Sequence, residues 1–486
     1  MLIKSNSFIN SALFFFTSLL GVAPVVWCAV GSSTDSVKIK ELDLQAFEKK
    51  LIEDFPLIKN AIIEIDLATQ KRLEASSALD LNMKGKFDRR YGPYETTRSE
   101  FLLNQKTTFY GLGFQTGWRR GQGVFPSYEE YETTPTGELF LRAELPILQG
   151  GWIDKIRQGI QSAEIEIENS RNMYRIQSLL IRSEALKLYW DWVSFAAIRI
   201  ELEDLLEKIK SRQSWIERKA KAGLLPELKI AENLKGQYMV EQTWTENENQ
   251  FEMMKQNIKF YFFPNQETES EITLPKDSAQ KVISPPRSIE WNEDPDWIDR
   301  HPYVAKVNFK IEQERLKQRL ANNQLFPKLD LYFEQVAPIG GTKPTLAENE
   351  SKVGVNFSIP LQRSEARARY RIANQKLSIL ENLRRVTQNE LLRDHKNYLQ
   401  NLTRLEEQLV LMRKQVDINR RLRDAEETFF RRGRSSLLNV NLRERTLLNS
   451  EIKWIQMRAK FEKLKIAFRA FHARPILATD ELIKDK

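Results

Sequence analysis

After Gly151 the chain runs to about Lys219 with no proline and one glycine, Gly159, and from Ser364 to about Arg432 it has neither. Uninterrupted stretches of that length predict helices of about 100 Å at 1.5 Å per residue, too long for a globular domain. In the first, Leu179, Leu186, Trp190, Val193, Ala197 and Ile200 advance in steps of seven, four and three. In the second, Tyr398, Leu402, Leu405, Leu409, Met412 and Val416 alternate steps of four and three. These are seams of coiled-coil type, and the remaining faces are dense in Arg, Lys, Glu and Gln. Such helices pack sideways, in a rod or in a ring around water.

The long helices belong to a plan that is written twice. Each copy reads helix, strand, loop, proline-ended strand, long helix, glycine tip and return helix. The first opens at Phe55-Pro56 and the second at His301-Pro302. Each reaches Leu-Asp-Leu, at 79–81 and 329–331, then Leu145-Pro146 or Ile359-Pro360, then a tip at Gly223 or Gly433. The offset shrinks from 250 at the tripeptides to 210 at the tips, as loop-length changes inside a duplication would produce. Expected boundaries are a first repeat over 32–263, a proline-rich connector over 264–300 lying across the surface, a second repeat over 301–474 and a polar tail over 475–486. The first repeat is read as strands near 79–87 and 138–146, a long helix 151–219 and a return helix 227–262. The second is read as strands near 328–336 and 352–360, a long helix 364–432 and a return helix 435–472. Each return helix is roughly half its partner's length. The seam would continue only if another helix stacked end to end, and the segments 56–76 and 302–324 have the right size.

The N-terminus has the form of a secretory signal. Lys4 precedes an apolar core from Ala12 to Val26, and small residues suit cleavage after Gly31, giving a signal peptide over 1–31. Cys28 is the only cysteine, so a mature chain would hold no disulfide, thiolate metal site or cysteine nucleophile. Val25, Val26 and Trp27 before it do not form a lipoprotein box. No later stretch is apolar enough for a transmembrane helix, so any later membrane contact must be through strands.

Period-two alternation marks four such strands. Leu139, Leu141 and Leu145 share one face, as do Leu329, Leu331 and Phe333, and Val353, Val355, Phe357 and Ile359; in the first strand Leu79, Leu81, Met83 and Phe87 do the same. Their opposite faces carry polar and charged residues, as a water-filled lumen allows. Four strands cannot close a barrel, and an open edge in hydrocarbon leaves each backbone group unpaired at several kcal/mol. Other subunits must supply the rest: two copies would give 8 strands and three would give 12. Residues 107–118 also read as extended, and a fifth crossing would break the parity. They are therefore assigned to an outer loop, or to an alternative first crossing.

The chemistry of an enzyme is missing from the pattern. His301, His395 and His472 stand far apart with no metal-ligand spacing, and no phosphate-binding glycine loop occurs. The formal charge of +9 is modest and is interleaved with acids on helical faces, so nucleic acid is not an expected partner. No cofactor or metal is expected.

Over about residues 50–475 the chain resembles the TolC family of outer-membrane efflux and secretion ducts. The resemblance rests on the duplicated strand-loop-strand-long-helix order, on Leu145-Pro-Ile-Leu-Gln-Gly-Gly-Trp152, and on Gly433-Arg-Ser-Ser-Leu-Leu-Asn-Val440. It implies a mainly α protein with a small β part: a homotrimer whose 12-stranded barrel, four strands per chain, sits in outer-membrane lipid above a periplasmic α-helical tunnel. It further implies a passive conduit in a Gram-negative outer membrane. A periplasmic adaptor of an inner-membrane pump would dock at tips formed by Gly223, Leu224, Leu225, Gly433, Ser435 and Ser436. Independently of the family, Gly223 and Gly433 suit a reversal needing positive φ, and Ser435 or Ser436 suits a helix cap. The family's acidic aperture is not reproduced: the corresponding positions are Asn439 and Leu442, and Lys229 in the first tip. Closure by packing of coiled coils is expected instead. The competing reading is an exported coiled-coil rod or adaptor, which leaves the strands unexplained.

Overall fold

The structure, a computed structural model, describes residues 40–126, 132–263, 271–283, 296–340 and 349–474. The expected signal peptide with Cys28, the tail, and the connector residues 264–270 and 284–295 lie outside the described residues.

In chain order the elements are β1 (Lys40–Glu41), α1 (Leu44–Asp54), α2 (Pro56–Ser76), β2 (Asn82–Arg90), β3 (Thr96–Lys106), β4 (Gly113–Gly123), β5 (Glu138–Pro146), α3 (Lys155–Lys221), α4 (Leu228–Phe262), β6 (Ile272–Thr273), α5 (Lys276–Ile283), α6 (Pro302–Asn323), β7 (Lys328–Pro338), β8 (Glu350–Ser358), α7 (Ser364–Arg431) and α8 (Leu437–Phe471).

The long helices α3 and α7 hold 67 and 68 residues. Asp154 caps α3 by accepting the Arg157 amide at 2.8 Å. The lower part of α3 packs on α4 and α8, its upper part on α2 and α6, while α7 packs on α8 below and α6 above. The short helices thus continue the return helices end to end. The splices are built from the residues that open each repeat: Phe55 stacks on Tyr261 at the end of α4, and His301 meets Phe471 at the end of α8. The α7 seam from Leu402 to Val416 is buried throughout. In α3, Leu186, Trp190, Val193 and Ala197 are buried, but Ile200 points outward.

The core gathers at mid-height, around α3, α4, α8 and three pieces that periodicity did not reveal. α1 lays Phe47 and Leu51 on α3, where Glu48 receives Arg182 Nε at 2.9 Å with both side chains buried. The connector is the second surprise. Expected to lie over the surface, it sends β6 to pair in parallel with β1, and buries Ile272, Ala279 and Val282 in the core. Tyr189 donates its hydroxyl to the Leu42 carbonyl at 3.1 Å in the same place, and burial raises its pKa to about 12.

The sheet differs most from expectation. It has six antiparallel strands in the order β2-β3-β4-β5-β7-β8, not four. Residues 107–118 split into a turn over 107–112 and the first half of β4. β3, which alternation did not single out, gives the sheet an even number of strands before α3. The first strand begins at Asn82 because Ser77–Leu79 form a turn of 3₁₀ helix. The last strand stops at Ser358, so Ile359 and Pro360 stand just past its end.

Candidate functional site

Cross-strand partners point to the same side of a sheet, so the register assigns every residue to a face. Met83 pairs with Leu103, Phe101 with Trp118, Trp118 with Leu139, Ala143 with Phe333, and Phe333 with Val353. One largely apolar face therefore runs from β2 to β8, with Arg89 and Arg120 on it toward the end away from the helices. Its side chains are open: Leu139, Leu141, Leu331, Phe333, Val353, Val355 and Phe357 are all exposed, with Phe357 at 64% and Phe87 at 70%. Leu145, Leu329 and Ile359 are half-buried. A water-soluble protein seldom leaves so large an apolar area bare. At the helical end of the sheet Phe109, Tyr110, Trp152 and Phe326 stand exposed, and at the other end Tyr91 and Tyr94 do. Aromatic residues at both rims of an apolar band are the arrangement of a strand wall in lipid.

The opposite face is ionic. Glu334, nearly buried, accepts Arg119 Nη1 at 3.0 Å and Arg142 Nη1 at 3.4 Å, and Arg119 also pairs with Glu138. The Arg142 guanidinium stacks 4.2 Å from the centre of the Tyr332 ring. Gly354 faces that ring, and an added Cβ would stand 2.3 Å from the Tyr332 hydroxyl. Only glycine lets Tyr332 lie flat here.

At the far ends of the long helices the two tips have the same construction. Gly223 (φ +69°) and Gly433 (φ +70°) are left-handed. The Leu224 amide returns to the Lys219 carbonyl at 2.9 Å, and the Arg434 amide to Phe429 at 2.8 Å, the bonding of a Schellman stop. Ser436 caps α8 by accepting the Asn439 amide at 3.3 Å, while Ser435 bonds Glu426. Leu224 is exposed and Leu225 half-buried. Lys229 is paired with Glu232 at 2.8 Å, Asn439 lies against the Ser435 hydroxyl, and Leu442 is exposed.

Sequence reasoning missed the ion pair just behind these positions. Arg212 of α3 bonds Glu444 of α8 and also gives Nη1 to Asn441 Oδ1 at 3.1 Å. Both charged side chains are largely buried. Burial pushes the Glu444 carboxyl above its ordinary range, and Arg212 opposes that shift. Glu444 lies eleven residues past its glycine, and nothing in the spacing distinguished it from a solvated acid.

The three histidines, scattered in sequence, converge at one splice. His395 Nδ1 lies 3.1 Å from His472 Nε2, His301 Nε2 lies 2.7 Å from the Phe471 carbonyl, and Trp297 packs on all three rings. Burial, then the neighbouring His395 and His301, depress the His472 pKa to about 3, and burial also lowers His301. Among the described residues no group of side chains is arranged to hold a metal.

Residues 296–470 match the family model described as outer membrane efflux protein. The fold is similar to that of the outer-membrane channel OprN, with a TM-score of 0.65 and 14% identity over 89% of this chain and 90% of that one. It is also similar to the CmeC outer membrane channel of Campylobacter jejuni, with a TM-score of 0.60 and 14% identity over 91% of this chain and 88% of that one. The outer membrane protein VceC of Vibrio cholerae gives 0.62 and 12% over 89% of this chain and 97% of its own. No curated protein matches the chain in sequence.

Proposed function

We propose that this chain, whose residues 296–470 match the outer membrane efflux protein family model, is a passive exit duct of the outer membrane that carries cargo from an inner-membrane pump and its periplasmic adaptor to the exterior. The observation that carries the reading is the two-faced sheet: one side apolar, exposed and rimmed by aromatics, the other ionic, standing on helices of about 100 Å. A sheet of that kind is stable only as a closed wall in lipid. Among the described residues its edge strands β2 and β8 are each paired on one side only, so closure calls for further copies.

A homotrimer is the assembly proposed. α7 supports it with a second, outward stripe: Ile372, Ile379, Leu383 and Val386, then Leu411, Ile418, Leu422 and Phe429, all exposed and mostly at heptad steps. A neighbouring copy's helices would cover it. The tips at Gly223 and Gly433 would dock the adaptor, and the surfaces around Lys229, Asn439 and Leu442 would form the aperture. The duct drives nothing itself; energy comes from the pump.

The test is reconstitution. Purified protein should run as a heat-modifiable trimer from outer-membrane fractions and form channels in planar lipid bilayers. A monomer that stays soluble without detergent would favour the coiled-coil rod instead.

A further inference from the structure

The hairpin formed by β2 and β3 is the edge of the sheet beyond β4, and it brings the strands of one chain from four to six. We infer that it is a wall element inserted between neighbouring copies, giving an 18-stranded, net-basic exit pore suited to anionic cargo. The inference rests on the exit-duct reading and adds to it the pore's size and charge.

Three observations place the hairpin in the wall. Its strands have nine and eleven residues, the length that crosses a bilayer when tilted. β3 is bonded to β4 along its whole length, from Thr96 opposite Gly123 to Lys106 opposite Gly113, so the hairpin is not a flap held at one end. Met83, Phe87, Phe101 and Leu103 continue the apolar face, and Arg89 and Arg120 join it only toward the end away from the helices. The turn at 107–112 is also locked in place, since Gly111 packs so closely that a Cβ would lie 2.9 Å from the Gly150 carbonyl oxygen.

The position of the hairpin fixes the seam between copies. β4 already has β3 on its free side, so β8 of one copy must meet β2 of the next. Both are nine residues long, and the chain ascends in β2 and descends in β8, so the pairing is antiparallel. Three copies of six strands make 18, and barrel diameter grows about linearly with strand number. The pore would be roughly half again as wide as one of 12 strands.

Charge follows from the same register. On the lumen face of β4, β5, β7 and β8, four bases (Arg119, Arg142, Lys328, Lys352) meet five acids (Glu138, Glu144, Asp330, Glu334, Glu350). On that face of the hairpin, Lys84, Lys86, Arg90, Arg98 and Lys106 outnumber Asp88 and Glu100. Without the hairpin the lining is slightly acidic, and with it the lining is basic. Rings of like charge on a lumen select ions of the opposite sign.

Reversal potentials across a salt gradient in planar bilayers test this directly. The unaltered protein should prefer chloride over potassium, and Lys84→Glu/Lys86→Glu should reverse the preference. Cation preference in the unaltered channel, or an unchanged reversal potential in the variant, would overturn the charge assignment while leaving the duct intact. Imaging the trimer in lipid nanodiscs should show β2 beside β8 of the next copy; β8 beside β4, with the hairpin outside the wall, would refute the insertion. Folded trimers that form no channel at all would sink the exit-duct reading itself.

Discussion

His395 and His472 are 77 residues apart in the chain and face each other with their ring nitrogens 3.1 Å apart, in a pocket closed by Trp297. The pair shapes the acid response. His472 has a folded pKa of about 3, depressed from 6.5, so the folded state holds fewer protons than the unfolded chain between those values. Stability is therefore full above about pH 6.5 and falls as the pH drops toward 3. His472→Gln should flatten that fall. Thermal unfolding followed by circular dichroism across this range checks it; equal slopes in the two proteins would contradict it.

The buried pair Arg212–Glu444 ties α3 to α8 near the tips. Arg212→Met leaves a carboxylate without its partner and should cost about 3 kcal/mol. Arg212→Met/Glu444→Met removes both charges and should recover most of that loss. Denaturant titration of the three variants measures the coupling, and additive losses would show that the two side chains act separately.

Neighbouring residues on opposite faces of β8 should respond in opposite ways. Val355→Arg puts a charge on the lipid side at about 2–4 kcal/mol near mid-bilayer, and should reduce trimer yield in the outer membrane. Asn356→Arg faces the lumen and should assemble normally. Western blots of membrane fractions distinguish them; equal yields would reject the assignment of faces.

At the tips, Leu224→Asp alters an exposed residue that the isolated chain does not need for packing. Trimer assembly and bilayer channels should be unchanged, while transport in cells and cross-linking to the adaptor should be lost. Normal transport by the variant would remove this tip from the docking surface.

The helices were legible because their signals are local. The absence of proline and glycine, the heptad seams, the tip glycines and the Ser436 cap each lie within a few residues of the structure they specify. β5 is legible for the same reason, since Leu139, Leu141, Ala143 and Leu145 alternate cleanly. β3 is not: Phe101, Leu102 and Leu103 run together, and Thr97 and Ser99 dilute the outward face. Its membership becomes evident only when Met83 and Trp118 are set beside it. α1 and α5 are short helices whose stability comes from packing, α1 on α3 and α4 and α5 on α3 and α8, and periodicity within them does not reveal those partners. The histidine cluster and the Arg212–Glu444 pair join segments far apart in the chain, and spacing along the chain does not report such meetings.

The two splices described above occupy equivalent places in the repeats but differ in chemistry. Phe55 on Tyr261 is an aromatic joint that gains no charge in acid; at the other, His472 against Trp297, with its pKa depressed to about 3, takes up a proton when the pH falls far enough. In a ring of three copies the two kinds would alternate around the circumference. Acid would then soften every second column and leave the rest rigid, turning a tube of sixfold outline into one of threefold compliance.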